Sequence, residues 1–274
     1  HTYPAAGIYP VWVEGQMEGI RYNNTANAND LLQIAAWGTG DMFTSPSTMR
    51  EAFYGCTQMD FSNSARTTNR PDTSAVTDWY RAFRDCSSIT GTFPAFNFSA
   101  ATTFQEAWQG CSSMTAFVAA GDQTQNVTNF NNAWINCTSL TSFPLINTAA
   151  GTSFSSAWSG CSGLTSFPLI NTAAGTNFAE TWLDSSGLTT FPEINTAAGT
   201  DFSGAWRNCS GLTTFPEINT AAGTDFSGAW RNCSGLTSFP LINTAAGTNF
   251  GRAWSGCSGL TSFPLINTAA GTSF

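Results

Sequence analysis

The chain repeats itself every 24 residues, and that period constrains its fold more than any other feature. Trp134, Trp158, Trp182, Trp206, Trp230 and Trp254 keep the interval without exception. So do Leu140, Leu164, Leu188, Leu212, Leu236 and Leu260 six residues later, and Phe143, Phe167, Phe191, Phe215, Phe239 and Phe263 three further on. Self-similarity at such a period marks a solenoid, in which each unit is one coil and buries its apolar face only by stacking on its neighbours. Weaker copies hold the same two slots at Phe53 with Cys56, Phe83 with Cys86 and Trp108 with Cys111. Successive cysteines there stand 30, 25 and 26 residues apart, so the early coils carry small insertions.

Within one unit, Phe154, Ala157, Trp158 and Cys161 fall at i, i+3, i+4 and i+7, which predicts one face of a short helix. The residue before the Phe slot is Thr48, Asp78, Thr103, Asn129, Ser153, Asn177, Asp201, Asp225, Asn249 or Ser273, each able to accept an N–H of a first helical turn. Two residues after the Trp slot stand Gly55, Asp85, Gly110, Asn136, Gly160, Asp184, Asn208, Asn232 and Gly256. These types tolerate the left-handed backbone that closes a helix, so the helix is at most about two turns long. Leu164, Phe167 and Ile170 then fall three apart around Pro168, which predicts extended chain: either a short strand with an interrupted ladder or a polyproline-like edge. Asn171 to Thr176 turns the chain into the next coil, with Gly175 supplying backbone freedom.

This order of residues, A-[FW]-x-x-C-x-x-L-x-x-[FI], is similar to bacterial BspA-like leucine-rich-repeat surface proteins, and the mycoplasma-lipoprotein type of repeat is closer still. Met49-Arg50-Glu51-Ala52-Phe53-Tyr54-Gly55-Cys56 matches its Met-x-x-Met/Ala-Phe-x-x-Cys signature, while Trp134, Trp158 and their equivalents replace its Phe. The resemblance covers residues 48 to 274. It implies an α/β leucine-rich-repeat solenoid of about nine coils of 24 to 30 residues with an N-terminal cap. It also implies a surface-exposed protein with a binding role, as in adhesins and in the fibre and surface proteins of phages. No catalytic residue is carried over with it.

Residues 1 to 47 lie outside the repeat and are expected to form the N-terminal cap that a solenoid needs. Trp37-Gly38-Thr39-Gly40 suits, alternatively, a sugar-binding loop. The chain opens on His1, and Gly271 to Phe274 begin another unit, so both ends read as cuts and the solenoid is expected to continue past Phe274. Only 9% of residues are charged, and nine arginines against seventeen acids give a net charge of −8, which argues against a nucleic-acid partner. No apolar run approaches the ~18 residues of a membrane span.

All eight cysteines occupy one slot, which Ser185 fills in the remaining coil. Coils stacked ~5 Å apart would bring neighbouring cysteines within disulfide range. The serine, however, divides the column into runs of five and three, which favours buried free thiols over pairing. With no C-x-x-C pair and His1 the only histidine, neither a metal site, a cofactor site nor a histidine-dependent triad is expected. Glu193 and Glu217, one coil apart where other coils have Leu145, Leu169, Leu241 and Leu265, are the one pair that resembles glycosidase carboxylates. A solvated face neutralised by Arg207 and Arg231 is the simpler reading. Sequons at Asn23, Asn97, Asn126, Asn136, Asn208 and Asn232 follow from a composition that needs Asn at the stop position and is rich in Ser and Thr.

Thr141, Thr165, Thr189, Thr213, Thr237 and Thr261 are expected to point outward in a hydroxyl row if Leu140 and its equivalents point inward. Together with Glu193 and Glu217 they form the candidate ligand face, for a glycan or, in a regular enough array, for ordered water. The expected function is non-enzymatic attachment outside the cell, to a host-cell surface glycan or protein or to other copies of the chain. The alternative is a structural spacer or filament without a specific ligand.

Overall fold

A computed structural model describes residues 46–61, 72–119 and 123–274. The expected cap, with Trp37-Gly38-Thr39-Gly40 and the Asn23 sequon, lies outside the described residues except for Pro46 and Ser47. From Thr48 onward the described residues wind as parallel coils stacked in register. Parallel bridges join the residues before the Phe slots, from Asp78 through Thr103, Asn129 and Ser153 to Ser273. Only two short strands occur among the described residues, β1 (Gly91–Thr92) and β2 (Met114–Ala116), paired parallel in adjacent coils.

The helix expected over Phe154 to Cys161 does not form, and no helix occurs among the described residues, so the α/β assignment is corrected to a solenoid of turns and short parallel bridges. Left-handed residues are the reason. Every stop position from Gly55 to Gly256 has positive φ, as the residue types imply, but so does a second position four residues earlier: Glu51, Arg81, Glu106, Asn132, Ser156, Glu180, Gly204, Gly228 and Arg252. With Ser156 at φ 53° and Gly160 at φ 72°, the backbone reverses hand twice and successive amides cannot line up along one helix axis. Alternate N–H groups leave the coil instead. Phe154, Ser156, Trp158 and Gly160 donate to the carbonyls of Asn177, Ala179, Thr181 and Leu183 in the next coil, at 2.7 to 2.9 Å. Of those between, Ala157 and Ser159 close four-residue turns on Phe154 O (3.0 Å) and Ser156 O (3.2 Å), and Ser155 donates to Asn131 Oδ1 (3.1 Å). Left-handed non-glycine residues cost roughly 1 kcal/mol each. The four cross-coil bonds per turn face offset that cost, because they leave none of these amides orphaned.

The residues expected to cap a helix do the same chemistry without one. The Asn177, Asp201 and Asp225 carboxamide or carboxylate oxygens accept the N–H two residues on, at 2.9, 2.9 and 2.8 Å.

Three aromatic columns fill the core. Trp158, Trp182, Trp206 and Trp230 are fully buried, as the repeat predicts, and Trp182, Trp206 and Trp230 stack nearly parallel at 5.4 Å. Phe178, Phe202 and Phe226 form a second column at 5.4 to 5.5 Å. Phe191, Phe215 and Phe239 form a third at 5.7 to 5.9 Å, their rings edge-on to the indoles. Each indole N–H from Trp79 to Trp254 is buried without an oxygen or nitrogen acceptor. The crossed phenylalanine rings are the polarisable surface left to it.

The extended run is not a strand. Ile170 N–H turns back onto Pro168 O at 2.9 Å, while Leu164, Phe167 and Ile170 point into the core. Gly175 also departs from expectation: it is not left-handed, and what it supplies is room. A Cβ there would sit 2.6 Å from Phe178 Cζ and 3.0 Å from Phe154 Cε2, inside the phenylalanine column. Gly175→Ala is therefore expected to destabilise the fold by about 1 to 3 kcal/mol, read as a lower urea midpoint. An unchanged midpoint would mean that the column gives way freely.

Candidate functional site

The solvent-facing atoms of the solenoid are arranged in rows. Thr141, Thr165, Thr189, Thr213, Thr237 and Thr261 are all exposed. Five of the six hydroxyls are not free donors, however: Thr141 Oγ1 donates to Thr115 O (3.2 Å), Thr189 to Thr165 O (3.1 Å), Thr213 to Thr189 O (3.4 Å), Thr237 to Thr213 O (3.3 Å) and Thr261 to Thr237 O (3.3 Å). A hydroxyl has one proton to give, so this row presents methyl groups and acceptor lone pairs outward. A second exposed row, not recognised in the sequence, runs through Thr152, Thr176, Thr200, Thr224, Thr248 and Thr272. It is built alike, with Thr176 Oγ1 on Thr152 O at 3.2 Å.

A third threonine row points inward and was also missed. Thr148, Thr172, Thr196, Thr220 and Thr244 are fully buried, and each Oγ1 donates to the carbonyl of the Asn that precedes its counterpart in the next coil, as Thr244 does to Asn267 O (2.6 Å). The preceding Asn side chains accept an N–H two residues on, Asn195 from Ala197 at 3.1 Å. The Asn-Thr pair thus fixes both the bend and the coil spacing.

Leu145, Leu169 and Leu241 stand 68%, 62% and 59% exposed, with Glu193 and Glu217 exposed between them. Neither carboxylate makes a hydrogen bond or ion pair with another described residue. Arg207 does not neutralise them; it reaches Glu180 at 3.4 Å instead. Two open carboxylates without a shielding wall or orienting donor lack what general acid–base chemistry needs. Among the described residues no three His, Cys, Asp or Glu side chains gather as a metal site, and no helix is long and apolar enough to cross a membrane.

The cysteine slot is a hydrogen-bonding position. Each thiol from Cys86 onward donates to the carbonyl of the aromatic residue in the preceding coil, Cys161 to Trp134 O at 3.1 Å and Cys233 to Trp206 O at 3.0 Å. Ser185 makes the same bond to Trp158 O at 2.9 Å, which explains why serine substitutes there. All eight cysteines are free thiols, seven of them buried, and burial pushes Cys161 and Cys233 up to about 12. The stop-position side chains form a further ladder, with Asn208 Nδ2 on Asp184 Oδ1 (2.6 Å) and Asn232 Nδ2 on Asn208 Oδ1 (2.8 Å). The amides of those two sequons are therefore already committed.

No family model matches the chain, and no curated protein matches it. Two solved structures are similar to it. A leucine-rich repeat protein from Bacteroides ovatus ATCC 8483 is 14% identical with a TM-score of 0.31, over 100% of this chain and 90% of that one. A leucine-rich repeat protein from Eubacterium ventriosum ATCC 27560 is 15% identical with a TM-score of 0.34, over 88% of this chain and 74% of that one. Overlaps this loose decide nothing about role; the repeat fold rests on the coil geometry itself.

Proposed function

We propose that the chain is a non-enzymatic attachment protein that works outside the cell, as a bacterial surface adhesin or a phage fibre component, through repeated shallow contacts along the solenoid. The observation behind this reading is the recurrence of exposed side chains in equivalent slots from residue 130 onward, with Thr141 and its counterparts in all six coils, and Leu145, Leu169, Leu241 and Leu265 sharing their slot with Glu193 and Glu217. A surface that repeats suits a ligand that repeats, such as a host-cell glycan. Each added contact then becomes intramolecular, and avidity grows without any strong single site. The BspA-like sequence resemblance points to the same setting.

Whole 24-residue units removed between residues 130 and 274 are expected to leave the fold intact while attachment to cells or polysaccharide falls steeply with the number of coils. Attachment that survives with two or three of these coils would make the repeats a spacer, the second reading, which the near identity of the later coils favours.

A further inference from the structure

One exposed slot departs from the repeat. Two residues after the column of Phe191, Phe215 and Phe239 it reads Leu145, Leu169, Glu193, Glu217, Leu241 and Leu265, while the Thr, Phe, Pro and Ile slots around it keep one residue type through all six coils. Leu145, Leu169 and Leu241 stand mostly in solvent, and the proline before each is partly exposed, so both flanks of the row are apolar. The middle is acidic and uncompensated. Neither Glu193 nor Glu217 has an ion-pair partner among the described residues, and Arg207 and Arg231 belong to the turn face, where Arg207 reaches Glu180 at 3.4 Å. Equivalent Phe rings just before the slot, from Phe167 to Phe239, are 5.7 to 5.9 Å apart, which sets the step of the row.

We propose that this row is a docking ridge for one amphipathic helix of a partner protein, laid along the solenoid axis, with basic residues on its two middle turns and apolar residues on the turns at either side. The step of the row selects the helix. Side chains on one helix face recur about every 5.4 Å, whereas those on one face of a strand recur about every 6.6 Å. A helix therefore stays close to register from coil to coil, and a strand drifts out of it. Charge selects the middle turns: two neighbouring carboxylates without a counter-ion repel each other and attract a pair of lysines or arginines. The flanking leucines leave water only if the partner is apolar opposite them, as the anchors of a helix face are. A glycan that repeats with the coils has no counterpart for a slot that changes. This partner is therefore separate from the one assigned to the threonine row, and the proposal does not rest on that reading.

The probe is a fluorescent helical peptide built on alanine and glutamine, with Leu, Leu, Lys, Lys, Leu and Leu on successive turns of one face, titrated with the full chain. Reversing both charges, Glu193→Lys with Glu217→Lys, is expected to weaken binding at least about ten-fold, whereas Asp184→Lys, on the stop ladder, leaves it unchanged. The reversed chain should in turn bind the peptide carrying Glu on its two middle turns at least about ten-fold more tightly than the unaltered chain does, a gain that no folding defect produces. Should near-UV circular dichroism show the reversed chain disturbed, Glu193→Gln with Glu217→Gln is read instead, with at least about a three-fold weakening expected. A peptide of the same composition in the order Lys, Leu, Leu, Leu, Leu and Lys should bind at least about ten-fold more weakly. No binding by the unaltered chain, equal binding by the folded variant, or equal binding of the reordered peptide would each overturn the proposal. So would self-association of the chain that Leu169→Ser removes, which would make the row an interface between copies. The repeat-deletion series reads attachment to cells or polysaccharide and the charge reversal reads the peptide, so the two readings fail separately.

Discussion

Trp206→Ala is expected to cost about 3 to 5 kcal/mol of stability. The indole is fully buried and stacks at 5.4 Å on Trp182 below and Trp230 above, with Phe215 edge-on at 4.9 Å, so its removal opens a gap in two coil interfaces at once. In a solenoid the damage concentrates at those interfaces, because each coil contacts only its neighbours. Trp206→Phe should cost less than about half as much, since it keeps most of the apolar area and removes a buried N–H that has no acceptor. Phe83 already holds this slot in an earlier coil. Urea denaturation followed by fluorescence checks both; an alanine variant within about 1 kcal/mol of the parent would show that the column is not what holds adjacent coils together.

Alkaline pH is expected to unfold the protein through its thiols. An unfolded cysteine loses its proton near pH ~8.5, whereas burial pushes Cys161 and Cys233 up to about 12 and raises Cys86, Cys137 and Cys209 well above the usual thiol range. Between these limits the folded state binds more protons than the unfolded one. The stabilisation is thus complete below the unfolded value and is lost as pH rises toward the folded one, by up to about 1.4 kcal/mol per pH unit for each such thiol. Several thiols titrating together reach the ~5 to 15 kcal/mol by which domains are stable. Fluorescence-monitored unfolding should therefore set in above pH ~9 and reverse on neutralisation with reductant. Replacing these cysteines by serine, the residue that Ser185 already places in the slot, should flatten the slope. Constant stability from pH ~8 to ~11 would sink the account.

The period, the aromatic columns and the nine left-handed stops could all be read from the sequence, because each depends on one residue type recurring in one slot. The helix could not be distinguished from what forms instead. Phe154, Ala157, Trp158 and Cys161 share a face in either arrangement, since two left-handed residues four apart return the chain to the same side much as a helical turn does. The available signal was Gly204 with Gly228, glycines placed where a two-turn helix would suffer from them. Elsewhere that slot holds Glu, Arg, Asn or Ser, which announce nothing. The buried Thr172 row was hidden for another reason: its acceptor is a backbone carbonyl one coil away, and an invariant Asn-Thr step does not say which threonine turns inward.

The cross-coil bonds of the turn face have a mechanical meaning. Phe154, Ser156, Trp158 and Gly160 all donate toward the following coil, so these bonds run along the long axis and not around it. A pull applied at the two ends loads the coil junctions in series, and every junction carries the same force. The least well-bonded junction yields first, and the rest hold until the slack has been taken up. Each 24-residue coil that opens releases roughly 80 Å of chain at about 3.3 to 3.6 Å per residue, against the ~5 Å it occupied when stacked. Under tension such a protein lengthens in steps and does not snap, and a tether joined at many coils sheds load from one coil to the next.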